Sequence, residues 1–212
     1  MTRPARACVA LVVVVAMLVV LGVGSPSRSQ TSAPMSFALV VHADAPDAAR
    51  AWLDAQVGQA NALFAPAEVA LELVEVRASP SEASLASIDD RAARDALGTR
   101  VALSARGEPT RVNVFLTERL VDVDDPPNER MGVHWRARPA RNVHYVILSR
   151  RAWPTTLAHE LGHYFGNPHS RTRDNLMSYD RDGTTPPFLD AGQLARIRAH
   201  ARRYLRAGLE RR

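Results

Sequence analysis

The sequence has one cysteine, Cys8, and it lies in the N-terminal apolar run. A disulfide framework, a cysteine-ligated zinc finger and a cysteine nucleophile in the folded part are thereby excluded. Lysine is absent too: all 27 basic residues among the 212 are arginine, a bias to which no functional weight attaches. No internal repeat is present. Hydrophobic residues are not scarce. At 46% against 23% charged, the balance excludes wholesale disorder and suits one domain, or one domain plus a targeting segment.

Arg3 and Arg6 precede an apolar run at 7–24, and a stretch of Pro, Ser, Arg, Gln and Thr follows at 25–34. A charged start, an apolar middle and the small residues Gly22 and Gly24 read as a secretory signal peptide over 1–24. An N-terminal membrane anchor is the alternative, because the run is close to the ~20 residues a spanning helix needs. Either way the globular part is expected to be exported: periplasmic, secreted, or extracytoplasmic and tethered to the membrane. Residues 25–35 are then a linker and 36–212 the folded domain. Without 1–24 the chain keeps 25 arginines against 22 acids, and seven of those arginines fall in 194–212 beside one glutamate. The body at 25–193 is thus slightly acidic. Basicity belongs to one terminal helix, which disfavours nucleic acid as a partner. A monomer is expected.

Periodicity gives a coarse map. Residues 36–42 (SFALVVH) predict a buried strand, and 46–64 a helix with Pro46 in its first turn and Pro66 beyond its end. Residues 69–76 alternate as a half-buried strand. A helix is predicted over 89–97, closed by Gly98. Strands are predicted at 111–116, 131–136 and 143–148. The acidic segment 122–129 reads as a solvated loop. Asp122, Asp124, Asp125 and Glu129 make calcium conceivable there, but their spacing supports no calcium loop. Strands interspersed with helices imply one mixed α/β (α+β) domain.

The chemistry is concentrated at 159–169, His-Glu-Leu-Gly-His-Tyr-Phe-Gly-Asn-Pro-His. On a helix His159 and His163 lie one turn apart and within about 40° of each other, so both imidazoles can reach one ion. Leu157, Leu161 and Tyr164 fall on the opposite side and can anchor the helix to a core. Glu160 lies beside such an ion rather than on it, placed to take a proton from a metal-bound water. A straight helix could not return a third histidine. Gly166 tolerates a left-handed turn, Pro168 prevents the helix from resuming, and His169 can come back from a loop. Three neutral imidazoles leave a coordination position open, as catalytic Zn²⁺ requires. His42, His134, His144 and His200 match no ligand spacing and read as structural or exposed.

With this motif in place, the sequence resembles the metzincin zinc metalloproteases, recognised by the long zinc motif and a following methionine turn. Residues 175–179 (NLMSY) are similar to that turn. The resemblance gives Met177 the role of an apolar floor beneath the imidazoles, and Tyr179 that of a metal-binding or oxyanion-stabilising tyrosine. Residues 53–76 are similar to the helix and strand that open pappalysin-like members, and 174–198 to their end, while Ser170 looks more like the matrixin pattern; the subgroup stays open. The resemblance implies a single catalytic domain. It has a twisted mixed sheet with helices, a zinc helix, and a small irregular lower subdomain ending in a C-terminal helix. It also implies a zinc endopeptidase acting on peptide or protein substrates that pair with an edge strand, for which 131–136 is the candidate. The loop 180–187 is a candidate wall of the cleft. Thr155 and Thr156 are candidate N-caps of the zinc helix. Asp190 with Gln193, and Leu189 with Leu194, are the capping box and staple of the last helix. A secreted zinc-binding or interaction protein without turnover is the alternative on the same fold.

Overall fold

The computed structural model describes residues 33–78, 85–104, 111–138 and 143–209. The signal or anchor segment 1–24 and the linker up to residue 32 lie outside the described residues. Among the described residues no helix is long and apolar enough to cross a membrane.

Met35–Ala43 (β1), Arg111–Thr117 (β4) and His144–Ser149 (β7) are rich in Val, Leu, Ile and Phe, as strands covered on both faces are. With Val69–Ala78 (β2) and Gly132–Arg136 (β6) they form a five-stranded sheet of order β2-β1-β4-β7-β6. All neighbours are parallel except β6, which runs antiparallel to β7 and forms an edge. Two short strands, Ser87–Ile88 (β3) and Arg119–Leu120 (β5), pair separately. The sheet is mixed and lies among helices, as the sequence predicts.

Side chains alternate between two cores. Val112, Val114, Leu116, Val146 and Leu148 point to a large cluster shared with Pro46–Phe64 (α1), Thr156–Tyr164 (α3) and Ala191–Leu209 (α4). Phe115, Tyr145 and Ile147 point the other way, to Leu97 and Val101 of Arg91–Ser104 (α2). The sheet thus separates α2 from the zinc-motif helix, and β6, at its edge, is only partly buried along its length.

Helix α1 starts at Pro46 and ends at Phe64, where a single 3₁₀ turn takes over. Helix α2 departs from expectation. Asp90 caps it, its Oδ1 accepting the Ala93 N–H at 2.7 Å, but the helix runs through Gly98 to Ser104. Gly98 is used for close approach instead, because a Cβ there would collide with that of Ala137. Helix α4 has the expected capping box: the Gln193 N–H donates to Asp190 Oδ1 at 2.8 Å, and the Asp190 N–H to Gln193 Oε1 at 2.9 Å. Three of the four carboxylates of the 122–129 loop are answered by arginines, Asp122 by Arg130 at 2.7 Å, Asp124 by Arg91, and Glu129 by Arg119 and Arg151, while Asp125 accepts from the Asn128 side-chain amide at 2.9 Å.

Candidate metal centre and its cleft

Helix α3 carries the zinc motif beneath the sheet. Leu157, Leu161 and Tyr164 are buried in the large core, which fixes the helix and turns His159 and His163 the other way. Neither Thr155 nor Thr156 caps it: Thr155 occupies the N-cap position without a side-chain bond to the helix. Its hydroxyl accepts from Arg181 Nη1 at 2.9 Å. The cap comes from α1. Gln56, 1% exposed, accepts the Leu157 N–H at 3.2 Å and donates to the Trp153 carbonyl at 2.8 Å. A lone glutamine a hundred residues upstream gives no sequence signal for this role.

The helix closes as the motif requires. Gly166 has φ +88°, its N–H donates to the His163 carbonyl, and the Asn167 N–H donates to the Gly162 carbonyl, both at 2.9 Å. This paired pattern is the left-handed helix stop. It swings the Asn167 carbonyl back over the helix end, where His163 Nδ1 meets it at 2.7 Å. His159 Nδ1 likewise meets the Leu176 carbonyl at 2.7 Å. With Nδ1–H donating to a carbonyl, each ring keeps its Nε2 lone pair free for a cation, the usual outer support of a metal-bound histidine. His163 Nε2 lies 3.1 Å from His169 Nε2, and the ligand atoms of His159, His163 and His169 all lie within 4.8 Å of one another. Among the described residues this is the one His, Cys, Asp and Glu cluster able to hold a metal ion. Burial is the main cause that lowers all three imidazole pKa values, His159 to about 4, so the rings are neutral near pH 7. The donor set therefore fits Zn²⁺.

Met177 is fully buried, its sulfur packed directly against Gly162 between the two helical histidines. Its turn is held by Asn175, whose Oδ1 accepts the Met177 N–H at 2.9 Å, while Asn175 and Gln193 exchange side-chain amide bonds at 2.8 and 3.0 Å. Arg181 also donates to the Leu176 carbonyl that supports His159, so one arginine joins the methionine turn to the start of the zinc-motif helix. Neither Gln193's second role nor Arg181 is foreseen by the motif.

Glu160 is 6% exposed, and its Oε2 accepts the His134 N–H of edge strand β6 at 2.7 Å. Burial raises its pKa to about 7; the His134 N–H, Arg130 and Arg94 oppose that rise. Strand β6 can come this close because residue 132 is glycine, where a Cβ would lie 2.7 Å from Thr156 Cγ2 and 2.9 Å from Glu160 Cγ. Tyr179 is 70% exposed, its ring centre 4.6 Å from that of His169. A cleft of about 510 Å³ is lined by the three histidines, Glu160, Tyr179 and β6. The loop 180–187, a candidate wall, contributes no residue to that lining. Within it, Asp182 Oδ1 accepts the Thr184 and Thr185 N–H groups at 2.8 and 2.9 Å.

The remaining histidines lie outside the metal-binding cluster, although His134 lines the cleft. His42 stacks on Phe115 and bonds Asn113 at 3.1 Å. His134 and His144 share a hydrogen bond of 3.0 Å, with His144 stacked on Tyr164. His200 lies against Gly166.

No family model and no curated protein matches the chain. Solved structures do. Metalloproteinase-II from Bacteroides fragilis matches with a TM-score of 0.56 at 14% identity, covering 81% of this chain and 55% of that one. A chain from the structure of a chaperone-substrate complex matches with a TM-score of 0.55 at 12% identity, covering 81% of this chain and 35% of that one. The chain thus spans about half the length of the first and a third of the second. At these identities the likeness is one of architecture: the chain shares a mixed α/β fold with both structures.

Proposed function

We propose that the protein is a zinc-dependent endopeptidase of the metzincin type. The observation that carries this reading is the convergence of three imidazoles, two of them pinned through Nδ1, beside a buried carboxylate and an open sheet edge. His159, His163 and His169 would hold Zn²⁺, which when bound acidifies water and polarises a carbonyl. An extended peptide lies along β6 and is oriented by its backbone groups. Glu160 takes a proton from the water whose oxygen attacks the scissile carbonyl carbon. As the C–N bond breaks, Glu160 passes that proton to the leaving amine. Tyr179, at the mouth of the cleft, donates its hydroxyl to the developing oxyanion. The Gly166 turn and the buried Met177 support the metzincin assignment; the subgroup, pappalysin-like or matrixin-like, rests on sequence likeness alone. Export rests on the charged and apolar pattern of residues 1–24, and N-terminal sequencing of the mature protein tests it: an intact Met1 in soluble, non-exported protein would contradict it.

The test of function is hydrolysis of a denatured protein by the zinc-loaded chain. Glu160→Ala is expected to lower turnover by about 10²-fold or more while zinc stays bound. Normal proteolysis by that variant removes Glu160 from the mechanism. Stoichiometric zinc with no hydrolysis by the native chain would instead make it a zinc-binding protein on the same fold.

A further inference from the structure

We propose that the cleft selects peptides with an acidic residue close to the bond that is cut, and that Arg94 is the specificity-determining cation. This rests on the endopeptidase reading and names its substrate class. Arg94 projects from α2 and lines the cleft, yet it is only 3% exposed. Its Nη2 donates to the Val121 carbonyl at 2.6 Å, and its guanidinium carbon lies 4.9 Å from the ring centre of Trp135. Its Nε is buried without a hydrogen-bond partner.

No carboxylate among the described residues forms an ion pair with it, although Asp122, Asp124 and Glu160 lie near enough to interact with its charge. The acids around it have their hydrogen bonds or ion pairs with other groups, Glu160 with the His134 N–H. Asp122 binds Arg130 and the Asp124 N–H, Asp124 binds Arg91, and Asp95 accepts the Trp135 Nε1–H at 2.7 Å. A cation with spare donors and little water costs free energy unless an anion answers it. Among the cleft-lining residues Arg94 is the nine-tenths-buried cation left without an ion pair, and it lines the substrate cleft.

The geometry of β6 says how an anion would arrive. Trp135 and Val133 pack on the α2 side of the sheet, whereas the His134 ring meets Tyr164 on the α3 side. A peptide extended along this edge turns alternate side chains toward the two faces. One set meets the metal side. The other meets Trp135 and Arg94. A glutamate suits that second position. Its methylenes lie against the indole, and its carboxylate meets a guanidinium that can only donate. Lysine and arginine side chains are repelled there, and glutamine offers a neutral oxygen in place of a charge.

The test uses the full zinc-loaded chain and quenched octapeptides of one common sequence, with Glu or Gln placed at each position in turn. At one position the Glu peptide is expected to be cut with a kcat/KM at least tenfold above its Gln twin. Arg94→Gln should bring that ratio to within twofold, and Arg94→Lys should keep part of it. Melting and circular dichroism establish that the variants fold. If neither does, the wild-type scan decides alone. Glu160→Gln reads recognition without turnover, and it should bind the Glu peptide more tightly than the Gln peptide by fluorescence anisotropy. Equal rates for Glu and Gln at every position, or a Glu preference that survives in Arg94→Gln, overturns the proposal. Selective binding of Glu peptides with no cleavage of any peptide refutes the endopeptidase reading and leaves acidic recognition standing.

Discussion

Gln56→Leu is expected to destabilise the protein by loosening the start of the zinc-motif helix. The native side chain is 1% exposed and bonds the helix end twice, accepting from the Leu157 N–H at 3.2 Å and donating to the Trp153 carbonyl at 2.8 Å. Leucine has a similar volume, so the cavity contribution is small. What remains is a backbone N–H orphaned beside the buried Leu157, costing roughly 1–3 kcal/mol, and a carbonyl left to find water, costing about 1 kcal/mol more. The expected loss is about 2–4 kcal/mol, or roughly 5–15 °C in Tm for a domain of this size. His159 sits in the first turn of the same helix, its N–H bonded to the Thr155 carbonyl at 3.0 Å, so zinc should bind more weakly as well. Urea unfolding at saturating zinc measures the first effect, and competition with a chelator the second. A variant within 0.5 kcal/mol of wild type and with unchanged zinc affinity would show that the helix is not held from α1.

Gly166→Ala places a side chain at φ +88° and brings a Cβ to 2.6 Å from His200 Nε2, so a loss of about 1–3 kcal/mol and weaker zinc binding are expected. Unchanged zinc affinity would mean that the turn does not position His169. Tyr179→Phe should lower kcat by roughly 10- to 100-fold with KM little altered, since the hydroxyl is assigned to the transition state; an equal kcat removes that role. The histidine pair gives a pH dependence. Burial is the first cause that lowers the pKa values of His134 and His144 from 6.5 to about 3, with Arg136 adding to it. Both rings are neutral in the folded chain while the unfolded chain takes up protons near 6.5. The stability they contribute is therefore complete above that pH and falls as pH drops toward 3, by up to about 2.7 kcal/mol per pH unit for the pair once both unfolded rings are protonated. Urea midpoints of the metal-free protein between pH 7.5 and 5 check this, and a flat profile contradicts it.

The elements most legible in the sequence are those with strong local pattern. Helix α1 begins at Pro46 and ends at Phe64 as its spacing requires, and the Asp190–Gln193 capping box has both of its bonds. The zinc motif is legible for the same reason: helical spacing alone brings His159 and His163 together, and Gly166 alone permits the turn. Gly98 misleads because a glycine that ends a helix and one that lets a helix touch a strand look alike in sequence; here Ala137 and Tyr145 decide which it is. Gln56, Arg94 and Arg181 are silent for a different reason. Each acts on a backbone carbonyl or N–H, and for Gln56 and Arg94 that group belongs to a distant segment; no spacing records such a bond. The threonines at 155 and 156 satisfy the local rule for a cap, and a tertiary contact supersedes it.

The central claim is that His159, His163 and His169 gather one divalent cation and leave it open to solvent and substrate. Elemental analysis combined with X-ray absorption on the purified chain tests this most directly. The expected result is one zinc per chain with three nitrogen neighbours at about 2.0–2.1 Å and one further light ligand, lost in His163→Ala. Folded protein that takes up no stoichiometric zinc, or a His163→Ala variant that keeps the same coordination shell, would contradict the account.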